Sequence, residues 1–303
     1  MRSCFFKLRK LPFRCLFLSF CLVFFWALAA VPVLAGPVTV RDDLDRKVQL
    51  SQPAQRVVSL SPATTEILFA IGAGHKLVGV CSACDYPSEV KKLPVVGDFM
   101  KPSLERIAHL SPELIILSSA TILKTVAEEL QSRTRCPVFV LRPQTVRQMI
   151  AGITKIGSLT GDDLKARRLS SELTQRLNLV RKRLKDKRRP RVVVEISPPP
   201  SLMVVGSGTY LSDAIVQAGG RNCFEDSSQP FPLISRETLY RQNPDVYIVA
   251  SGSDPKEVAL RENFSLFEFV QKFRIYQIDP DLLFRPGPRL IEGIEVLAKI
   301  LHP

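Results

Sequence analysis

Residues 103–117 read SLERIAHLSPELIIL and residues 235–249 read SRETLYRQNPDVYIV. Ser-x-Glu-x-(Ile/Leu) is followed in both by (Ser/Asn)-Pro-(Glu/Asp)-(Leu/Val)-x-Ile, at a constant offset of 132 positions. A second pair agrees: RVVSLSP begins at residue 56 and RVVVEISP at residue 191. Between these blocks, apolar segments end at Gly72-Ala73-Gly74 and Ala218-Gly219-Gly220. Matching blocks in the same order mark one structural unit built twice, which restricts the chain to folds with two similar halves.

Local chemistry predicts the elements of each half. Val57-Val58-Ser59-Leu60 and Val192 to Ile196 are β-rich runs closed by a Ser-Pro turn. Thr64 to Ile71 reads as a helix that glycines terminate. Ser103 and Ser235 are N-caps, and each following helix must stop before Pro112 or Pro244. Residues 114–117 and 246–250 are short, continuous apolar runs, as in strands covered on both faces. Strands alternating with helices predict the α/β class, with a central parallel sheet in each lobe. Residues 144–161 carry Val146, Met149, Ile150, Ile153, Ile156 and Leu159 at helical spacing, ended by Gly161. The expected organisation is a first lobe over 36–143, a single rigid connecting helix over 144–161, and a second lobe over 162–303, with a ligand cleft between the lobes.

Compartment follows from the N-terminus. Arg2, Lys7, Arg9, Lys10 and Arg14 precede an almost wholly apolar run, LFLSFCLVFFWALAAVPVLA, with Val33 and Ala35 before Gly36. This is the layout of a cleaved secretory signal over 1–35. The rival is an uncleaved anchor, since about 20 apolar residues span a bilayer. Both readings place the rest of the chain outside the cytoplasm, in the periplasm.

The formal charge of +13 is concentrated rather than spread. Residues 165–191 hold twelve basic residues and only Glu172 and Asp186 as acids. The same stretch carries Leu169, Leu173, Leu177, Val180 and Leu184 as one helical stripe, so its bases fall on the remaining faces. A solvated helix face and attraction to an anionic membrane both fit this. Without interleaved aromatics in an exported chain, nucleic acid does not.

Ligands of α/β proteins gather beyond the carboxyl ends of the strands. That selects residues 61–64, the CSACDYP loop at 81–87, and residues 96–100, 229–232 and 279–289. His75, His109 and His302 are the only histidines and are isolated in sequence, so no histidine-rich metal cage and no Ser/His/Asp arrangement is expected. In CSACDYP the residue after Cys84 is Asp85, not the histidine of a haem tether. No second pair stands at zinc spacing, and the pair follows a strand rather than opening a helix as a low-pKa redox pair would. A local Cys81–Cys84 disulfide, two free structural thiols and a redox pair remain as readings.

The runs LSPATTEILFAIGAGHKLVGVCSACDYP, VGDFMKPSLERIAHLSPELII, PFPLISRETL with NPDVYIV, and DLLFRPGPRLIEGIEVLAKIL resemble the helical-linker substrate-binding proteins of ABC importers. Within that class they are most similar to the cobalamin-binding family, and the likeness covers essentially the whole chain after residue 35. The resemblance implies no enzymatic activity and no resident cofactor or metal. It implies a monomer that carries a cobalt corrinoid, or alternatively a ferric siderophore or haem, to an inner-membrane permease dimer. Glu105 and Glu237 match the family's permease-docking glutamates, at equivalent points of the two repeats. Pro62, Ala83, Tyr86, Phe99, Phe231, Asp281, Leu282, Leu283, Phe284 and Arg285 match its ligand-contacting positions. Ala83 and Ser118 stand where corrinoid binders are expected to carry aromatics, and Phe99 and Phe231 where they carry tryptophans. Outside this class, the alternatives are an exported thiol oxidoreductase using Cys81 and Cys84, and a basic membrane-surface protein.

Overall fold

The repeated blocks fold into equivalent elements of two α/β lobes. In the computed structural model, which describes residues 36–98, 100–118 and 124–303, the first lobe opens with a hairpin of β1 (Val38–Arg41) and β2 (Lys47–Leu50). The Asp42 carboxylate closes its turn by accepting from the Leu44 and Arg46 amides and pairing with the Arg46 guanidinium at 2.6 Å. The expected signal over 1–35 lies outside the described residues, and no described helix is long and apolar enough to cross a membrane.

Strands β3 (Val57–Ser59), β4 (Leu77–Val80), β5 (Leu114–Ser118) and β6 (Val138–Leu141) form a four-stranded parallel sheet in the order β4-β3-β5-β6. Helices α1 (Pro62–Ala70), α2 (Leu104–His109) and α3 (Lys124–Thr134) belong to this lobe. β5 is buried along its whole length, as its unbroken apolar run requires.

The second lobe is built on β7 (Arg191–Ser197), β8 (Met203–Val204), β9 (Arg221–Asn222), β10 (Val246–Val249) and β11 (Ile275–Gln277). Their order is β11-β10-β7-β8, with β9 also paired to β7. All pairings are parallel except β7 with β8. A parallel connection needs a crossover of a dozen residues or so, whereas the chain turns back through Pro198, Pro199 and Pro200 into β8 and must run antiparallel.

Ser103 accepts a hydrogen bond from the Arg106 amide at 3.3 Å, and Ser235 one from the Thr238 amide at 3.1 Å, where α7 (Arg236–Gln242) begins. The two caps are the same device at the same point of each repeat. Helices α4 (Val146–Thr160) and α5 (Asp163–Leu184) carry the chain between the sheets. Thr145 and Gln148 make a reciprocal capping box at the start of α4, and Gly161, with φ of 75°, takes the left-handed conformation that ends it.

Helix α5 then doubles back along α4. A Cβ at Gly157 would lie 2.3 Å from the Ala166 Cβ, so the helices cross at a distance only glycine permits. The buried stripe of α5 is Ala166, Ser170, Leu173, Leu177, Val180 and Leu184, with Leu169 at its edge, and the basic residues occupy the exposed faces. One of them, Arg176, forms a double hydrogen bond with Glu295 on the last helix, α11 (Leu290–Leu301). The basic stretch is therefore in large part the solvated side of a packed helix. A single buried cluster runs from Ile67, Ile116 and Phe139 of the first lobe through Ile153 and Leu173 to Val192, Ile248 and Leu297 of the second.

A second cluster, in the second lobe, takes in Val258 of α8 (Pro255–Ala259) and Phe269 of α9 (Glu268–Gln271), on which Tyr247 stacks at 4.9 Å between ring centroids. At its edge Glu195 is fully buried on β7, accepting from the Tyr247 hydroxyl at 2.7 Å, from Ser251 at 2.6 Å and from both terminal nitrogens of Arg261. Burial alone would raise the Glu195 carboxyl. The donors from Arg261, Ser251 and Tyr247 outweigh it and hold it below its ordinary value. Arg261→Met would strand that carboxylate without its counter-charge, and loss of one partner of a buried pair costs about 3–5 kcal/mol. Because Arg261 keeps some solvent contact, the variant should lose about 3 kcal/mol in urea unfolding; a loss below about 1 kcal/mol would show that the ion pair is not integral to this core.

Candidate functional site in the interlobe cleft

The loops that leave the sheets at their carboxyl ends face one another and enclose a cavity of about 390 Å³. From the first lobe come Ser61, Pro62 and Ala63 at the junction of β3 and α1, Ala83 in the loop after β4, and Ser118 at the end of β5. From the second come Ile196 on β7, Met203 on β8, Phe231, and Tyr210 and Leu211 at the start of α6 (Tyr210–Gln217). Phe284, Arg285 and Pro286 complete the wall, between α10 (Pro280–Leu283) and α11. A hollow of about 760 Å³ beside Pro199, Arg236 and Arg261 is larger, but the second lobe alone lines it. It contains none of the expected ligand residues, so the cleft is the candidate site.

Pro62, Ala83, Phe231, Phe284 and Arg285 of the expected set line the cavity together. Ala83 and Ser118, noted in the sequence for their small size, are both in its wall. Tyr86 is half exposed and does not line the cavity; it lies under the Arg289 guanidinium, whose carbon is 4.2 Å from the ring centroid. Asp281 pairs with Arg285 at 2.8 Å and does not line the cavity. Leu282 and Leu283 of the expected ligand set do not line the cavity. The single turn of α10 points Leu283 into the core, 1% exposed, and sets the Leu282 carbonyl against Gly293 of α11, where a Cβ would meet it at 2.4 Å. Phe99 lies outside the described residues.

The walls are apolar, with Tyr210, Phe231 and Phe284 supplying aromatic surface and Met203 a polarisable one. Burial pushes the Tyr210 phenol above its ordinary value, so it stays a neutral donor at any physiological pH. Such a site can hold a large ligand by apolar faces and orient it with a few neutral polar groups.

Arg285 is the one charged residue among the described residues lining the cavity, and three carboxylates surround it. Its Nη1 reaches Glu66 Oε1 at 3.0 Å and Asp85 Oδ1 at 2.6 Å, and its Nη2 reaches Asp85 Oδ2 at 3.2 Å and Asp281 Oδ1 at 2.8 Å. Arg289 grips Glu66 through Nε at 2.9 Å and Nη2 at 2.6 Å. Glu66 and Asp85 belong to the first lobe and both arginines to the second, so these bonds cross the cleft. Gly287 assists: a Cβ there would lie 3.4 Å from the Ala63 carbonyl oxygen, so the arginine loop packs directly on α1. Sequence reading missed Glu66. The signal was a single acid within the apolar helix TTEILFA, which at 3% exposure must find a counter-charge.

Cys81 and Cys84 are buried free thiols with sulfurs 3.1 Å apart, and Thr65 donates to Cys84 Sγ at 3.2 Å. The Cys81 hydrogen bond and burial push the Cys84 thiol up. The pair packs against the first lobe's core directly behind Ala83. The Cys84 hydrogen bond holds the Cys81 thiol below its ordinary value, but Cys81 is fully buried and lacks the exposure that exchange chemistry requires.

Glu105 and Glu237 occupy the first turns of α2 and α7 and are exposed. Each carboxylate is favoured there by the helix N-terminus, and each projects freely enough to meet another molecule.

A family model described as periplasmic binding protein matches residues 57–282. The chain belongs to the periplasmic binding protein family. Among its relatives, an uncharacterised ABC transporter substrate-binding lipoprotein of Bacillus subtilis strain 168, YvrC, is 31% identical over 272 residues, covering 88% of this chain and 86% of that one. The vitamin B12-binding protein of Yersinia pestis strain Pestoides F is 30% identical over 250 residues, covering 82% and 87%. The apo structure of the periplasmic haem-binding protein RhuT from Roseiflexus sp. RS-1 superposes with a TM-score of 0.72 at 24% identity, covering 82% of this chain and 98% of that one. As in that structure, two α/β lobes with parallel sheets face each other.

The Asp85 carboxyl reports on the cross-cleft bonds, because hydrogen bonding from Arg285 holds it below its ordinary value of 3.8. A depressed carboxyl contributes stability that is present above the unfolded value and is lost as pH falls through the folded one. The stability difference between the protein and its Asp85→Asn variant should be flat from about pH 8 to pH 5 and shrink below pH 3.8. A difference that instead varied through neutral pH would mean that another group controls the contact.

Proposed function

We propose that this periplasmic binding protein takes a corrinoid in the interlobe cleft and delivers it to the permease of an ABC importer. The observation that carries the reading is the cavity itself, with apolar and aromatic walls drawn from both lobes. Phe231, Phe284 and Tyr210 suit the apolar faces and edges of a macrocycle, and the Tyr210 phenol and Ser61 suit its peripheral amides. At about 390 Å³ the cavity receives part of such a ligand, and the remainder projects from its mouth. The 30% identity to a vitamin B12-binding protein over most of both chains supports the same ligand class. The second reading, haem or a ferric siderophore, draws on the haem-binding structural neighbour and on the presence of Arg285 in the wall.

In this proposal the protein acts as an exported monomer, released from or held by its N-terminal segment. Function lies in affinity and docking rather than in bond making. Glu105 and Glu237 dock the two lobes onto a permease dimer, each lobe presenting its glutamate at the equivalent point of the repeat. A two-subunit partner meets such a surface through a common geometry. The Cys81–Cys84 pair is proposed to stiffen the Ala83 wall of the cleft, as free thiols or as a disulfide formed outside the cytoplasm.

Two experiments test this. Calorimetric titration with cobalamin, cobinamide, haem and a ferric siderophore should show binding of the corrinoids, and Phe284→Ala should weaken it by about tenfold or more. Binding of haem or the siderophore alone would replace the corrinoid assignment. Charge reversal at both Glu105 and Glu237 should leave ligand affinity intact and abolish uptake into cells that depend on this importer; unchanged uptake would remove them from the docking surface.

A further inference from the structure

The cation in the cleft is not free to meet an anion. Both terminal nitrogens of Arg285 are each engaged by two carboxylate oxygens, from Glu66, Asp85 and Asp281. Arg289 is engaged by Glu66 and covers Tyr86. The cluster therefore contains three carboxylates and two guanidiniums, a local balance of one negative charge. Glu66 is 3% exposed and the Arg285 side chain 12%, whereas the Asp85 and Asp281 side chains, at 58% and 37%, face solvent, which weakens but does not cancel the balance on the cavity side. The other described residues of the wall are neutral.

We propose that this cross-cleft cluster is a charge filter that sets the specificity of the site: it admits uncharged or cationic metal complexes and rejects anionic ones. Glu66, Asp85 and Asp281 are its specificity-determining residues. They act through Arg285, not by touching the ligand. Binding a carboxylate or catecholate group would require Arg285 to give up bonds that cross the cleft to Glu66 or Asp85, leaving Glu66 with Arg289 alone, an exchange that gains no net ion pair. A ligand with peripheral amides asks nothing of the arginine and meets only neutral donors and apolar walls. The inference rests on the corrinoid reading for its ligand class but not for its sign, because the charge rule applies to an iron chelate as well.

Matched corrins isolate the charge. Dicyanocobinamide carries amides around the ring, whereas dicyanocobyrinic acid carries carboxylates on the same ring. One net charge about 8 Å away at an effective dielectric of about 20 corresponds to about 30-fold in affinity. The purified protein should prefer the amide corrin by at least about that factor. Asp85→Asn, at a largely exposed side chain whose change leaves the buried Glu66–arginine pairs in place, should lower the amide-to-acid ratio by about tenfold, and Glu66→Gln, which keeps the shape and a hydrogen bond to the arginines, should lower it further. A merely structural role for the cluster would move both affinities together and leave the ratio unchanged. Equal binding of the two corrins, or a ratio unmoved by Asp85→Asn, overturns the filter.

If neither corrin binds, the corrinoid reading fails separately. The same comparison is then made with a neutral ferric trihydroxamate and a triply negative ferric tris-catecholate. Preference for the neutral chelate supports the filter, and preference for the catecholate overturns it. Binding of none of the four overturns both.

Discussion

The close crossing of α4 and α5 is the constraint on which the rest of the structure depends. Gly157 lets Ala166 approach at van der Waals distance, and Gly152 does the same for Leu141 on the last strand of the first sheet. Without side chains at these points the helices seat directly on their neighbours, and the buried cluster continues from one sheet to the other without a break. Polar ties then fix the corners. Lys76 reaches the Thr160 carbonyl and pairs with Asp162 at 2.9 Å, Lys155 pairs with Asp43 at 2.8 Å, and the Val146 amide donates to Asp213 of α6 at 2.7 Å. A connection packed and tied in this way sets the separation of the lobes instead of acting as a loose hinge.

Fixed separation explains why the cleft can rely on shape. Its loops leave the ends of two sheets whose positions are set elsewhere, and the residues on them need only supply surface: Ile196, Met203, Phe231 and Phe284 on one side, Pro62 and Ala83 on the other. The cross-cleft arginines add a third point of contact beyond the helix pair. They hold the segment between α10 and α11 against α1 while removing a free positive charge from the wall. Closing the cleft and defining its electrostatics are the same set of bonds.

The repeat gives the outer surface its logic as well. Ser103 and Ser235 cap equivalent helices, and the next residue but one in each is an exposed glutamate. The lobes then diverge at the cavity: the first contributes small residues, Ala83 and Ser118, and the second contributes aromatic ones. The cavity is asymmetric although the scaffold is not.

Much of this was legible along the chain because it depends on local physics. Apolar runs, Ser-Pro turns, serine caps and Gly161 are read within a few residues, so β3, β5, β7, β10, α2, α4 and α7 were visible, as was their repetition in two α/β lobes. The cavity was legible only in part. Phe231, Phe284 and Arg285 were found through the loops they sit on, whereas Leu283 lies on the same loop and is turned inward by one residue of helical rotation. What the sequence by itself determined was the repeated elements and their order, since each follows from neighbours in the chain. What only the tertiary structure decided was that Asp85 meets Arg285 200 positions away and Glu66 meets Arg289 223 positions away. Charges pair through space, and no periodicity records which distant partner will neutralise a buried acid.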